Sequence, residues 1–484
     1  MSVDVDVLVV GAGLSGIGAA CHLEERLPGT SYVVLEARET SGGTWDLFRY
    51  PGVRSDSDMY TLGYRFRPWT DARSIADGPS ILRYVRETAE AYGVEDNIRY
   101  RQRVVSASWS SDAARWTVTT ETGDVYTCGF LWCCSGYYRY EAGYSPDFVG
   151  VESFAGTVVH PQHWPADLDV SGRRVVVIGS GATAVTLVPS LAEAGAHVTM
   201  LQRSPTYVLS VPGVDPAAAW LREHLPPRAA SFLTRWKNVL VTSGFYQLSR
   251  RRPDYVRRLV RKGVASRLPD GFDVDAHFEP AYDPWDQRMC FVPDGDLFRA
   301  IRHGDVEVVT DHIERFTPSG LRLTSGRELE ADVVVTATGL QLLAFGGMAL
   351  DVDGSAVHLP DTMSYQGMLL SGVPNFAYVI GYTNASWTLK ADLVSEYVCR
   401  LLSFLRERGY DTVVPERDPA VAEEPFMDFS SGYVQRSLHL LPKQGSRAPW
   451  RLRMNYLRDL VTIRRGRLEH ESLRFSRSRS RVAS

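Results

Sequence analysis

The chain has 484 residues, 44% of them hydrophobic and 23% charged, which is typical of a soluble globular enzyme with two or three domains. Its net charge of −4 provides no general attraction to nucleic acid or anionic lipid. We expect no transmembrane segment, because no apolar run reaches ~18 residues, and no signal peptide, because acidic residues precede the first strand. The six cysteines have neither CxxC nor metal-ligand spacing, which favours a cytoplasmic protein without a metal site.

The first forty residues predict a dinucleotide-binding module. Its parts are a buried strand at 7–10, a glycine turn at Gly11, Gly13 and Gly16, a helix opening at 17–23, a strand at 32–35 and the acid Glu36. The glycines allow a tight turn, close approach of a pyrophosphate and close packing of helix on strand. The helix N-terminus favours binding of the negatively charged pyrophosphate, and Glu36 is placed to accept a hydrogen bond from a ribose hydroxyl.

Residues 42–56 are rich in glycine, proline and aromatic residues, which predicts an ordered loop rather than a helix or strand. Trp45 offers a flat face and Asp56 a carboxylate to a ligand, whereas the alternative is a surface loop with a packed tryptophan. A helix is predicted over 80–92 with Ser80 as its N-cap. Strands are predicted at 98–106, 116–120 and 130–134.

A second module repeats the first. Residues 173–178 predict a strand, Gly179 and Gly181 form the turn, a helix runs to about residue 191, and a strand follows at 197–201. Gln202 stands where Glu36 stands in the first module, and Arg203 and Ser204 follow. An arginine pairs with a 2′-phosphate that an acid would repel, so this module is predicted to prefer NADPH to NADH.

Residues 212–284 are rich in helix formers and interrupt the second module. The basic runs at 249–253 and 257–262 favour a solvated helix face, with contact to a membrane surface or an acidic partner as the alternative. Strands are then predicted at 306–309, 321–323, 332–339 and 376–380, and a long helix over 389–406. The basic end of the chain is predicted to be disordered.

The segment between the modules resembles the fingerprint FxGxxxHxxxW, followed by Pro or Asp, of the type I Baeyer–Villiger flavoprotein monooxygenases. The matching residues are Phe154, Gly156, His160, Trp164 and Pro165. Trp164 is the discriminating position, because ordinary flavin-containing monooxygenases carry Tyr or Phe there. Residues 42–60, 202–207, 284–288 and 443–447 most resemble the subgroup of the ethionamide-activating monooxygenase. On their pattern alone, the histidines at 160 and 163 are typical of structural loop residues.

The resemblance implies FAD and NADPH as cofactors and assigns residues to each. The residues implied for FAD are Gly11, Gly13, Ser15, Gly16, Glu36, Thr44, Trp45, Asp46, Leu47, Asp56 and Val104. Those implied for NADPH are Arg54, Ser55, Asp56, Gly179, Ser180, Gly181, Ala182, Thr183, Ala184, Val185, Arg203 and Ser204. Many relatives carry a lysine immediately before the arginine that corresponds to Arg288, whereas this chain has Gln287 there. This difference places more of the NADPH selectivity on Arg203.

The resemblance also implies an α/β fold of two Rossmann-like dinucleotide-binding domains with a helical insertion in the NADPH domain. The expected parts are 1–150 and 336–470 for the FAD domain, 151–211 and 285–335 for the NADPH domain, 212–284 for the insertion and 471–484 for a basic disordered tail.

The implied reaction is a Baeyer–Villiger oxidation, in which NADPH, O2 and FAD convert a ketone to an ester or lactone through a C4a-peroxyflavin. Arg288 would be the fixed cation beside that anion, Asp56 would orient Arg288, and His160 would have a conformational role. The alternatives are oxygenation of sulfur or nitrogen, for example in a thioether or thioamide, and an NADPH oxidase or redox sensor without oxygen transfer. The sequence does not specify the oligomeric state.

Overall fold

A computed structural model describes residues 3–427 and 429–478 of the chain. The strands among these residues are β1 (Val3–Val10), β2 (Tyr32–Leu35), β3 (Ile98–Arg99), β4 (Val104–Ser110), β5 (Arg115–Thr120), β6 (Val125–Cys133), β7 (Thr157–Val159), β8 (Arg174–Ile178), β9 (His197–Gln202), β10 (Val208–Val211), β11 (Cys290–Pro293), β12 (Val306–Thr310), β13 (Ile313–Thr317), β14 (Gly320–Leu323), β15 (Glu328–Glu330), β16 (Val333–Thr336), β17 (Ala349–Val352), β18 (Ser355–Ala356), β19 (Ser364–Tyr365), β20 (Leu369–Leu370), β21 (Phe376–Tyr378), β22 (Thr412–Pro415), β23 (Glu423–Pro425), β24 (Lys443–Gly445) and β25 (Leu473–Ser476).

The helices are α1 (Leu14–Arg26), α2 (Thr44–Leu47), α3 (Met59–Leu62), α4 (Gly78–Ala91), α5 (Ala182–Glu193), α6 (Pro216–His224), α7 (Pro227–Arg251), α8 (Pro253–Ala265), α9 (Val274–Phe278), α10 (Asp296–His303), α11 (Trp387–Arg408), α12 (Gly432–Gln435) and α13 (Tyr456–Arg465). Single 3₁₀ turns lie at Glu95–Asn97, Val151–Ser153, Pro161–His163, Ala344–Gly347, Leu359–Asp361 and Leu438–Leu440. Within the described ranges, no helix is long and apolar enough to cross a bilayer.

The larger sheet is built around β1. Its main strand order is β18-β17-β4-β5-β6-β1-β2-β3, and β1 pairs in parallel with β2 and β6. Both faces of β1 are covered, because alternate side chains of a strand point to opposite sides. Val7 and Val9 pack in the cluster that contains α1 and α11, whereas Leu8 and Val10 pack in the cluster that contains Trp116.

The second sheet consists of β12-β9-β8-β16-β7, and all of its strands are parallel. Val175 and Val177 of β8 pack in a cluster with Leu187 of α5. The opposite face of β8 packs in a cluster with Phe316 of the antiparallel unit β13-β14-β15. The helices α6 to α9 lie between β10 and β11, which pair with each other in parallel. The predicted α/β class, with two dinucleotide-type sheets and a helical insertion, is confirmed.

Several predicted element boundaries differ from the structure. The segment 42–56 contains the short helix α2. Helix α4 begins at Gly78 because the Asp77 side chain accepts the Ser80 backbone N–H, so Asp77 and not Ser80 is the N-cap. The predicted strand over 98–106 is divided into β3 and β4.

The disordered tail is predicted to begin at residue 471, but the structure is still ordered there. β25 lies inside it and pairs antiparallel with β22, with Val413 opposite Phe475. Leu473 is buried, so an apolar residue anchors this end of the chain in the core despite the surrounding arginines. Residues 479–484 lie outside the described residues. The six cysteines are all buried and unpaired.

Candidate active site

A cavity of about 1160 Å³ runs along the carboxyl ends of the parallel strands in both sheets. Its walls include Val10, Leu35, Ile178 and Leu201, which lie at or next to the last residues of β1, β2, β8 and β9. Ligands of doubly wound folds bind at this end of the strands, where the turns and helix N-termini face the crevice. One continuous cavity therefore meets both of the predicted nucleotide-binding turns.

Most of the predicted cofactor residues line this cavity. They are Gly11, Gly13, Ser15, Glu36, Thr44, Trp45, Arg54, Ser55, Asp56, Val104, Gly179, Ser180, Gly181, Ala182, Thr183, Val185, Arg203 and Ser204, together with Arg288. Asp46, Leu47, Gly16 and Ala184 are not part of the lining. Gly16 and Ala184 instead allow the close packing of α1 and α5 on their sheets, and both are buried.

The first turn has the geometry that a dinucleotide requires. Gly11 has φ of +99°, and a Cβ on Gly16 would lie 1.8 Å from the Gly11 carbonyl oxygen. The Glu36 carboxylate accepts the backbone N–H groups of Ala12 (2.7 Å) and Arg38 (2.9 Å). Burial raises the pKa of Glu36, although these two hydrogen bonds oppose the shift. The glycine turn, the N-terminus of the helix that follows it and the Glu36 carboxylate together fit an adenine dinucleotide such as FAD.

Helix α2 presents only part of its surface to the cavity. Trp45 lines the cavity, and Thr44 Oγ1 lies 3.2 Å from the Tyr140 hydroxyl, which also lines it. The Asp46 carboxylate instead contacts three guanidinium groups, those of Arg38, Arg49 and Arg86. Asp46 is buried, and burial opposes the lowering of its pKa by the Arg38 hydrogen bond and charge. Asp46 and Leu47 are thus not part of the cavity lining, and their assignment to FAD stays a prediction.

The second turn differs from the first at the position of the acid. Gln202 is buried and donates to the His277 carbonyl oxygen (2.7 Å) and to Thr310 Oγ1 (2.9 Å). Arg203 and Ser204 are exposed at the cavity, and Ser180 Oγ lies 3.1 Å from the Ser204 carbonyl oxygen. This edge of the cavity has an arginine and no acid at the position of Glu36, which fits a 2′-phosphate and hence NADPH.

Asp56 and Arg288 form a bidentate ion pair in the cavity wall. Arg288 Nε donates to Asp56 Oδ2 at 2.6 Å, and Nη2 donates to Oδ1 at 2.7 Å. The Asp56 charge raises the pKa of Arg288 further above its usual value, so this guanidinium is a permanent cation. Tyr137 and Tyr433 also line this region, and burial raises the pKa of both phenols.

A second cavity of about 350 Å³ also borders this ion pair. Asp56 and Arg288 belong to the walls of both cavities. Much of the remaining lining is apolar or aromatic and comes from the insertion, from α11 and from the C-terminal part, for example Val239, Tyr246, Leu389, Met454 and Tyr456. The segment 426–447 borders the larger cavity, to whose lining Tyr433 and Arg436 contribute.

Several contacts at the site had no recognisable sequence signal. Arg54 is bidentate to Asp296 at the start of α10, with Nη2 3.4 Å from Oδ1. Trp387 Nε1 donates to Ser15 Oγ at 2.7 Å, and its ring stacks on Tyr137 with centroids 5.2 Å apart. These partners are hundreds of positions apart in the chain, so no local pattern could have indicated them.

The residues of the fingerprint line neither cavity. Phe154 packs near Phe316 beneath the second sheet, with ring centroids 5.8 Å apart. A Cβ on Gly156 would lie 2.5 Å from the Asp332 carbonyl oxygen, so the glycine permits β7 to approach β16. Trp164 packs against the core cluster of the second sheet, and Pro165 follows it at the end of the 3₁₀ turn.

His160 and its neighbour Gln162 tie these elements together. His160 Nδ1 accepts the Gln162 backbone N–H (3.2 Å), and Nε2 lies 3.3 Å from the Gly339 carbonyl oxygen. The buried Gln162 side chain donates to the carbonyl oxygens of Arg139 (2.8 Å) and Tyr140 (2.9 Å). We call these four hydrogen bonds the clasp, because they join the fingerprint turn to the segments that follow β6 and β16.

Comparisons with known proteins agree with this site. A family model described as pyridine nucleotide-disulphide oxidoreductase matches residues 8–227. The chain is 58% identical over 482 residues to the FAD-containing monooxygenase EthA of Mycobacterium tuberculosis, covering 99% of each protein. It is 54% identical over 489 residues to EthA of Mycolicibacterium smegmatis, covering 100% of this chain and 99% of that protein.

Solved structures with the same fold extend over nearly the whole chain. An OTEMO complex with FAD and NADP has a TM-score of 0.74 at 22% identity, and an open cyclohexanone monooxygenase has a TM-score of 0.75 at 21% identity. Each match covers 98% of this chain and 100% of the other. The fold, the two nucleotide-binding turns and the identity to EthA agree, and the chain belongs to the family of FAD-containing monooxygenases.

Proposed function

We propose that this monooxygenase carries out Baeyer–Villiger oxidation of a ketone to an ester or lactone, with FAD, NADPH and O2. The observation that carries the proposal is the position of the Asp56–Arg288 pair, which lies in the walls of both cavities. A fixed cation at the junction between a dinucleotide cavity and a smaller, largely apolar cavity is what an anionic oxygen-transfer step requires. The fingerprint that ends in Trp164 supports ketone chemistry over the ordinary flavin-containing type.

We assign the module of the larger sheet to FAD and that of the second sheet to NADPH. Glu36 suits a free ribose, whereas Arg203 suits a 2′-phosphate. The domain boundaries follow from this assignment. Residues 1–150 and 336–470 contribute to the larger sheet, and residues 151–211 and 285–335 contribute to the second sheet. Bound FAD, reduced by NADPH, supplies the activation of O2 and the transfer of one oxygen atom.

Arg288 supplies charge at a defined place. A guanidinium stays protonated at any working pH, so it stabilises a neighbouring anion without accepting or losing a proton. Asp56 holds it through two parallel hydrogen bonds, which fix the plane of the guanidinium. Its Nη1 has no protein partner among the described residues and is the atom we expect to face the developing negative charge.

We propose that the smaller cavity seats the ketone. Its volume of about 350 Å³ lies at the lower end of the range for small-molecule sites. Its aliphatic and aromatic walls would hold the hydrocarbon part of a substrate by burial, while Arg288 lies at the end where the reaction occurs. The clasp around His160 is then a conformational element, whose hydrogen bonds would hold the segments after β6 and β16 together when both cofactors are bound.

The identity to EthA supports membership of the ethionamide-activating subgroup, and with it a second reaction. In that reaction, sulfur or nitrogen is oxygenated in the same cavity, with a thioether or thioamide as substrate. We also propose a cytoplasmic location, because six buried and unpaired thiols fit a reducing compartment.

The test compares NADPH consumption with hydrogen peroxide release for ketones, thioethers and amines, with product identification by mass spectrometry. Baeyer–Villiger function predicts esters and low peroxide release with the ketones. Sulfoxides or N-oxides alone would favour heteroatom oxygenation. Peroxide equal to NADPH with every compound would make the chain an NADPH oxidase and overturn the proposal.

A further inference from the structure

The outward side of α7 carries apolar side chains where a surface helix normally carries polar ones. Four of these side chains are strongly exposed: Phe232 (61%), Leu233 (43%), Leu240 (55%) and Leu248 (38%). At 3.6 residues per turn, these positions and the half-buried Trp236 fall on one side of the helix. We call these five residues the outer stripe. It extends along most of a 25-residue helix.

The opposite side of α7 is more polar than the outer stripe. Thr234 and Ser249 are buried there, Asn238 donates to Asp58 Oδ1 at 2.8 Å, and Arg235 donates to the Gly63 carbonyl oxygen at 2.7 Å. The helix also has apolar inward contacts, because Val239 is buried and Phe245 and Tyr246 pack against the core cluster of the second sheet, so the exposed outer stripe is additional to them. Exposed apolar surface on this scale is typical of an interaction site.

The charge of α7 indicates which kind of partner the outer stripe binds. The helix contains no Asp or Glu and five basic residues, in a chain whose net charge is −4. Lys237 is paired with Asp215. Arg228 and Arg251 are exposed at the two ends of the helix, and no carboxylate in the described part of the chain pairs with either. Viewed along the helix axis, Arg251 lies within the same angular range as the outer stripe.

We propose that the outer stripe and its terminal arginines dock on an anionic lipid surface. A helix with Phe, Trp and Leu along one side and cations beside them is the form that lies in the interface of a membrane. A second copy of the chain is a poorer occupant, because pairing two such helices would bring together cations that have no acid on either helix to meet them.

The smaller cavity lies beside this surface. Val241 is 63% exposed and also belongs to the cavity lining, so the wall of the cavity reaches the protein surface at α7. Docking of α7 would therefore place this wall of the cavity next to the lipid. That consequence rests on the function proposed for the cavity, whereas the docking itself does not.

Co-sedimentation of the FAD-loaded protein with vesicles tests the proposal. Vesicles of phosphatidylcholine with 30% phosphatidylglycerol are expected to bind the protein, and pure phosphatidylcholine vesicles to bind it much more weakly. Binding should fall when NaCl is raised from 0.1 to 0.5 M, because salt screens the arginines. Leu240→Glu should weaken binding at least tenfold and Arg251→Ala about fivefold. Val461→Glu and Arg465→Ala on α13 are the matched controls, since both side chains are exposed.

Retained flavin absorbance and oxygenation of a soluble substrate show that each variant is folded, and they separate failure of docking from failure of the proposed function. Three results would overturn the proposal: no binding of the unaltered protein to anionic vesicles, equal binding to neutral vesicles, or equal binding of Leu240→Glu. Self-association that Leu240→Glu abolishes, without vesicle binding, would assign the outer stripe to a second copy instead and would likewise overturn it.

Discussion

Arg288 combines a permanent charge with a fixed orientation, and the two can be separated by substitution. Arg288→Ala removes both, and we expect ester formation to fall by roughly 10²–10³, the usual effect of losing one preorganised charge partner. Arg288→Lys keeps a charge but loses the bidentate geometry, so an intermediate loss is expected. Stopped-flow measurement of flavin reduction by NADPH should change little in either variant.

A matched control exists on β8, outside both cavities. Arg174 is also bidentate to a carboxylate, with Nη2 2.7 Å and Nε 3.2 Å from the two oxygens of Asp332. Arg174→Ala should leave ester formation unchanged, because this exposed pair contributes little. If Arg288→Ala behaved like Arg174→Ala, Arg288 would have no role in oxygen transfer.

Arg203 is predicted to select NADPH over NADH. A hydrogen bond between charged groups contributes about 1.5–3 kcal/mol, so Arg203→Ala should lower kcat/KM for NADPH by roughly 10- to 100-fold. NADH lacks the 2′-phosphate and is the internal control, so its kcat/KM should stay nearly constant. Steady-state kinetics with both nucleotides measure the ratio. An unchanged ratio would place the selectivity elsewhere, and Gln287→Lys would then be the next variant to test.

At the scale of elements, the clasp is expected to make stability depend on pH. Burial lowers the pKa of His160 below its usual 6.5, although the Gly339 hydrogen bond opposes this. As the pH falls below 6.5, the unfolded chain takes up the proton before the folded one, so stability is lost as the pH falls. Urea unfolding at pH 7.5 and 5.5 should show a loss of less than ~1.4 kcal/mol per pH unit from this group.

His160→Gln should remove that part of the pH dependence. His163→Gln is the control, because His163 belongs to the same turn but is exposed, with Nε2 3.1 Å from the Glu141 carbonyl oxygen. His277, whose pKa burial also lowers, remains in both variants and leaves a residual slope. Identical slopes for the His160 and His163 variants would contradict the assignment to the clasp.

The elements that the sequence predicted best are those with local causes. The turn from Gly11 to Glu36 could be read from apolar runs, glycine spacing and one acid, and β2 has the predicted bounds. Asp46, which the resemblance assigns to FAD, lies outside the cavity lining with three arginines around its carboxylate, and no local pattern indicates those partners. Gln162 and Asp296 were missed because each acts through partners that folding alone brings near.

At the scale of the molecule, the Asp56–Arg288 pair joins residues 232 positions apart and lies where the two cavities adjoin. This arrangement makes a prediction about coupling. A ketone that fills the smaller cavity should exclude water beside Arg288 and direct oxygen into product, whereas a poorly fitting ketone should raise peroxide release. The ratio of ester to peroxide should therefore follow the fit of the ketone rather than its reactivity.

The most direct test of the central claim is the origin of the inserted oxygen. The FAD-loaded protein is incubated with NADPH, a ketone and ¹⁸O₂, and the product is analysed by mass spectrometry. We predict an ester or lactone carrying one ¹⁸O atom, formed by the unaltered protein and at least a hundredfold less by Arg288→Ala. A product without ¹⁸O, or no oxygenated product from any ketone while NADPH is consumed, would contradict the account.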